Sequence, residues 1–198
     1  YKRQELDEYI KQRFKTVSGR SLPVSCVCID SGGHHTNQVY QFTKPRQSRR
    51  VFSIKGINQL GKPIANKPSF VGKNKAVLYP VGTDTAKEAI FARLSTDVES
   101  STLHFPADVD EEYFKQLTAE KRITKFVRGR KSLVWKQIRP RNEALDTMVY
   151  NFAAIYILNP NFDVIDQKIM TNAQNMAKTG QKSKKKQRNT KNFATSWK

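Results

Sequence analysis

Acidic residues are scarce in this chain, 17 Asp and Glu against 36 Lys and Arg over 198 residues, for a formal charge of +19. That balance draws the molecule to polyanions, with nucleic acid ahead of an anionic membrane surface. The eight Lys and Arg from Lys178 onward have no acid among them, yet the body before them still carries about +11. The whole molecule, not only its end, is basic. Cysteine is nearly absent too. Cys26 and Cys28 stand two apart, on one face of any strand, too close for an ordinary disulfide and without a second pair to build a zinc site. They read as small core residues in a reducing compartment. No stretch approaches the roughly 20 apolar residues of a membrane span, and no signal-peptide pattern opens the chain, so a membrane partner is not expected and the cytosol is. GxSxG, HExxH and GxxxxGK[ST] are all missing, which leaves no acyl-transfer or ATPase site; VGTDTAK has a Walker-like ring but lacks the glycines. No repeats are visible, and Tyr1 in place of Met reads as the start of a piece cut from something longer.

What is present suffices for one core with an appendage. Leu6, Ile10 and Phe14 stand at helical spacing and predict a lead-in helix ending near Ser18-Gly19. VSCVCI, VYQF and VFSIKG predict neighbouring strands, and residues 56–75, with four Lys, three Gly and two Pro, a long basic loop. AVLYPVGT reads as a strand and DTAKEAIFARL as a helix packed through Ala86, Ile90, Phe91 and Leu94. TLHFP reads as a short strand, DVDEEYFKQLTAEK as a helix with acids in its first turn, and RITKFVRGRKSLVWKQI as a hairpin around Arg128-Gly129-Arg130. RNEALDTMVYNFAAIYIL places Leu145, Val149, Phe152 and Tyr156 on one stripe of a closing helix. Together these predict a mixed α/β domain on one sheet with helices over its faces. The expected division is a lead-in over 1–20, the domain over 21–160, and a basic, low-complexity, flexible C-terminal tail over 161–198.

The chemistry-bearing residues are carboxylates. In VSCVCIDSGG a buried strand ends on Asp30, which sets an acid at the carboxyl edge of a sheet beside backbone free to approach a ligand. Asp84 repeats the arrangement after a second strand, and Glu143 and Asp146 share a face near the start of the closing helix. Acids converging in so basic a protein need a counter-charge, and Mg²⁺ or a similar hard cation supplies one. A pair of such ions would serve phosphodiester hydrolysis. The plainer alternatives are that Asp30 makes a turn, that Asp84 between Thr83 and Thr85 caps a helix, and that Glu143 is only a first-turn acid. His34 and His35 follow Asp30 closely and read either as ligand or base or as plain loop residues.

Taken in order, IDSGGHHTNQVYQF, VFSIKG, YPVGTDTAKEAIFARL, LHFP, EEYFKQLTAEK and RNEALDTMVYNFAA resemble the C-terminal nuclease region of the large terminase subunit of lambda-like tailed phages, over residues 22–158. The resemblance implies a ribonuclease-H-like mixed sheet flanked by helices and an endonuclease that cuts concatemeric viral DNA in the infected bacterial host's cytoplasm. It implies Mg²⁺ or Mn²⁺ at a two-metal site, with Asp30 as the first-strand ligand, Asp84 the middle one and Asp146 the acid of the closing helix. Glu120 belongs to the resembling pattern, either as a supporting acid or as a structural partner for a nearby Arg. Lys87 and Lys125 are expected at phosphates or as solvated lysines, with Arg128 and Arg130 in a DNA-gripping hairpin. The family's packaging ATPase lies N-terminal to this region. Implied partners are double-stranded DNA, the small terminase subunit, the ATPase domain, and the portal of the procapsid, docked by the tail through Phe193 and Trp197. The competing readings are a resolvase or integrase of the same fold class, and a catalytically silent basic domain that docks DNA or capsid.

Overall fold

The computed structural model describes residues 2–172 apart from positions 74 and 128. Arg128 and the tail segment bearing Phe193 and Trp197 lie outside the described residues. In chain order the elements are α1 (Lys2–Lys11), β1 (Arg13–Lys15), β2 (Ser21–Pro23), β3 (Val27–Asp30), α2 (Thr36–Thr43), β4 (Val51–Ile57), β5 (Ser69–Val71), β6 (Ala76–Gly82), α3 (Thr83–Leu94), α4 (Glu111–Leu117), β7 (Glu120–Val127), β8 (Arg130–Gln137) and α5 (Glu143–Leu158). The chain divides into two compact units, Tyr1–Leu158 and Asn159–Lys198. The second holds a helix over 162–172, started by the Asn161 side chain, which accepts from the Val164 N–H at 3.0 Å.

The central sheet runs β3-β4-β6-β5, with the first three strands parallel and β5 antiparallel at the edge. It is a mixed sheet flanked by helices, of the ribonuclease-H-like class. Alternation along the strands divides the core in two. Val27, Ile29 and Val51 face α1 and α2 with Ile10 and Phe42. Cys28, Ile54, Tyr79 and Val81 face the other way, toward Ala86 and Ile90 of α3 and Leu145, Val149 and Phe152 of α5. Asp30, two residues after Cys28, therefore stands on the α5 side of β3, in register with Ile54. Since β3, β4 and β6 are parallel, Asp30 and the β6–α3 junction lie at the same, carboxyl edge.

Several elements differ from the sequence expectation, each for a physical reason. VYQF is not a strand but part of α2, because two parallel neighbours, β3 and β4, must be joined by a crossover. The lead-in helix stops at Lys11, and Phe14 sits on β1 opposite Leu22 of β2, where it meets the Tyr9 ring edge-on at 6.3 Å. TLHFP finds no strand partner; Phe105 instead packs edge-on against Phe114 and Tyr113, at 5.1 and 6.1 Å. The basic stretch 56–75 contains β5, paired to β6. The acidic helix ends at Leu117, so Glu120 begins a strand rather than ending a helix. The hairpin β7–β8 forms where expected but as a two-stranded sheet of its own, not part of the central one. On α5 the buried stripe stops at Phe152 and Ala153, and Tyr156 is 53% exposed.

Candidate active site

Asp30 closes β3 on the exposed side of the sheet edge, and its Oδ1 accepts the Gly32 backbone N–H at 2.9 Å. The turn reading and the ligand reading are thus compatible: Oδ1 fixes the Ser-Gly-Gly turn while the carboxylate stays exposed at the sheet edge, beside the Tyr150 hydroxyl. Ser31 anchors the same turn, donating its hydroxyl to the Ile54 carbonyl at 2.8 Å inside the core. His34 and His35 are exposed in the turn that leads into α2, with His35 at the cap position and making no side-chain cap.

Asp84 is the second residue of α3, whose N-cap is Gly82 rather than Asp84 or Thr83. Capping therefore does not account for Asp84. The residues on either side are committed elsewhere. Thr83 donates to the Asn58 side chain at 2.9 Å, and Thr85 to the Lys62 carbonyl at 2.7 Å. Asp84 is half-buried, and its carboxyl lies above its ordinary value, chiefly through burial. Lys87 opposes that shift, while Glu88 and Glu120 add to it.

Asp146 projects from the first turn of α5, which packs on β3 and α3. Its carboxyl is also raised, first by burial and then, against the pull of Lys87, by Glu120, Asp30 and Glu143. Asp30, Glu120 and Glu143 thus each lie within electrostatic reach of Asp146, while Asp84 shares with Asp146 only the influence of Glu120 and Lys87. Glu143 is exposed and paired with Arg141 at 3.3 Å.

Two placements depart from expectation. Glu120 is not an open acid and its cation is not an Arg. It is 8% exposed and receives both a Lys87 ammonium, at 2.7 and 2.9 Å, and the Asn142 amide at 3.0 Å. Lys87, 12% exposed, is accordingly held inside the protein by that ion pair, not presented to a phosphate. Tyr150 was not singled out by sequence reasoning. It lies one turn after Asp146 on α5, half-buried, with its hydroxyl pushed far above the ordinary phenol value by burial and by the Asp30 and Asp146 carboxylates. The i, i+4 spacing from Asp146 was the signal that could have found it.

Among the described residues no three Asp, Glu, His or Cys side chains are grouped as a ready-made metal cage. The donor set is nevertheless of one kind, hard carboxylate oxygens under mutual repulsion. It fits an Mg²⁺-like ion, which keeps several waters and takes only one or two carboxylates together with substrate phosphates.

On the hairpin, Lys125 and Arg130 are exposed. The register sets Lys121 directly opposite Lys136, and alternation puts both on the face that carries Lys125 and Arg130. Like charges directly opposed destabilise a strand pair. The other face turns inward only near its base, where Trp135 packs on Phe91 of α3 at 4.9 Å and Arg122 pairs with Glu88 at 2.9 Å, while Phe126 toward the hairpin tip is exposed. Among the described residues no helix is long and apolar enough to cross a membrane.

The family described as terminase large subunit gpA, endonuclease domain, matches residues 2–169. The chain is 38% identical over 160 residues to the terminase large subunit of Escherichia phage lambda. It is 35% identical over 161 residues to the terminase large subunit of Enterobacteria phage P21. Each alignment covers 77% of this chain and 25% of the relative, so the chain spans about a quarter of the length of the curated relatives it matches. No solved structure matches it.

Proposed function

Because the chain belongs to the family of gpA endonuclease domains of phage terminase large subunits, we propose that it cuts concatemeric phage DNA into genome ends as a metal-dependent endodeoxyribonuclease. The observation that supports the metal site is the convergence of a strand-end acid, Asp30, with the helix acid Asp146: α5 packs on β3, and both carboxylates bear on the Tyr150 hydroxyl.

Asp30, Asp84 and Asp146 would hold Mg²⁺ or Mn²⁺, with Glu143 at the rim. Two such cations supply water activation and neutralisation of the leaving oxygen in phosphodiester hydrolysis. The chain's own residues do the rest. The Gly32 N–H orients the Asp30 carboxylate. α5 carries Asp146 on a face anchored by buried Leu145 and Val149, and so sets it on the sheet edge. Lys121, Lys125, Arg130 and Lys136 on one hairpin face bind backbone phosphates, which relieves the opposed lysine pair and fixes the duplex without reading sequence. In the full assembly the partners are the ATPase domain, the small subunit, and the portal of the procapsid through the basic tail, at work in the cytoplasm of the infected host.

The test is Asp30→Asn, which keeps size and shape at the strand end. It should fold as the wild type does by circular dichroism and fail to cut plasmid with Mg²⁺ or Mn²⁺. A folded variant cutting at the wild-type rate would overturn the site. Cleavage of branched DNA in preference to linear DNA would move the chain toward the resolvase reading.

A further inference from the structure

The ion pair of Lys87 with Glu120 is buried at the meeting point of three elements, and the carboxylates of the site hang from two of them. Lys87 stands one turn after Asp84 on α3. Glu120 is the first residue of β7, and Asn142 immediately precedes α5, its carbonyl accepting the Asp146 N–H at 3.1 Å. The Glu120 carboxylate gathers Lys87 at 2.7 and 2.9 Å and Asn142 at 3.0 Å. One acid thereby ties the turn bearing Asp84 to the turn bearing Asp146.

Stability alone is a poor reason for this arrangement, because an apolar trio of similar volume in such a seam is often as stable as a buried ion pair or more so. Its distinctive property is geometric: it sets the distance and angle between two helix starts. We infer that Glu120, Lys87 and Asn142 form a clamp that positions Asp84 and Asp146 for a divalent cation, Lys87 acting as a positioning residue and not as a phosphate contact. The inference rests on the metal-site reading above and extends it to residues that touch neither metal nor DNA.

Its test turns on a sign. Lys87 is a cation beside two acids, so by charge alone its removal should tighten the binding of Mn²⁺. A positioning role predicts the reverse, because partners that orient ligands typically cost about 10–100-fold in metal affinity or activity when removed. Mn²⁺ is titrated calorimetrically into the wild type, Lys87→Met, Asn142→Ser and Asp30→Asn, with duplex affinity measured in EDTA and turnover with Mn²⁺. Asn142→Ser keeps a residue type favoured before a helix and removes only the amide bond to Glu120, whose ion pair with Lys87 stays, so it serves as the test where Lys87→Met, which leaves Glu120 buried and unpaired, fails to fold.

The expected result is Mn²⁺ affinity and turnover lowered about tenfold or more in both clamp variants, with duplex affinity unchanged. Unchanged or tighter Mn²⁺ binding in Asn142→Ser overturns the clamp, as does a loss confined to duplex affinity in Lys87→Met. If Asp30→Asn loses Mn²⁺ while Asn142→Ser keeps it, the clamp alone fails. If Asp30→Asn binds Mn²⁺ as the wild type does, the metal site fails and the clamp with it.

Discussion

Gly82→Ala should destabilise this protein by about 2–4 kcal/mol, through one added methyl group. Gly82 ends β6 and caps α3 with φ −73°, a conformation open to any residue, so backbone freedom is not the reason. Space is the reason. A Cβ at this position would press on the carbonyl oxygens of Lys62 and Pro63, 2.5 Å from the latter, where real Cβ carbons essentially never come within 3.0 Å. The loop must therefore retreat by at least about 0.5 Å, an overpacking that costs about 1–3 kcal/mol. Retreat also strains the bonds that hold loop and helix together. The Gly82 N–H donates to Pro63 and Ile64 at 3.1 and 3.3 Å, and the Thr85 hydroxyl to Lys62 at 2.7 Å. Each is worth about 0.5–1.5 kcal/mol. Urea unfolding of Gly82→Ala beside Gly33→Ala, whose Cβ meets nothing within 4 Å, gives the comparison. The control should stay within about 0.5 kcal/mol of the wild type. Cleavage by Gly82→Ala should fall as well, since α3 carries Asp84 two residues on. A Gly82→Ala chain as stable as the control would refute the close approach and, with it, the account of how Asp84 is placed.

DNA affinity should fall steeply with salt, and replacing Lys121 and Lys136 together with Ala should flatten the slope of log K against log salt by up to about two units. Because that change also removes an opposed pair of like charges, it should not lower the unfolding midpoint; an unaltered slope would remove this face from the DNA grip. Asp7→Asn should cost about 1 kcal/mol at pH 7, a figure kept small because its partners are partly solvated. Arg46 first, then Lys11 and Arg49, hold the Asp7 carboxyl well below its ordinary value. A lowered folded-state pKa contributes stability above the unfolded value of about 3.9 and loses it as the pH falls. The gap between wild type and Asp7→Asn, measured by urea unfolding, should therefore narrow steadily as the pH falls from about 5 toward 2; a gap that widens on acidification would contradict the pairing.

The elements most legible in the sequence were those whose local pattern and tertiary role agree. AVLYPVG followed by TDTAKEAIFARL is a strand and helix because its alternation, its Gly junction and its Ala86–Ile90 face all serve the same packing, and the structure forms β6 and α3 there. VYQF failed because propensity and topology disagree. Val39, Tyr40 and Phe42 favour a strand locally, but the parallel pairing of β3 with β4 demands a crossover, and nothing within four residues announces a parallel partner. TLHFP failed similarly: its extended backbone is real, but a strand is defined by a neighbour, and here the neighbours are the rings of Tyr113 and Phe114.

The same distinction governs the site. A carboxylate at a strand end is readable because one residue and its turn suffice to place it, which is why Asp30 and Asp84 stand at the carboxyl edge of the sheet as expected. What lies between the acids depends on three segments meeting, and a linear pattern carries no trace of that meeting. Lys87 read as a surface cation because a Lys one turn after an Asp on a helix of a basic chain normally is one. Burial against Glu120, 33 positions away, turns it inward. The consequence reaches beyond this residue. In a chain with 36 cations and 17 acids, most lysines can be taken as a diffuse attraction for DNA, and their number says little about any one of them. The informative cation is the one withdrawn from that surface and placed on a buried acid, because it gives up solvent and phosphate alike and must be repaid by what it holds in place.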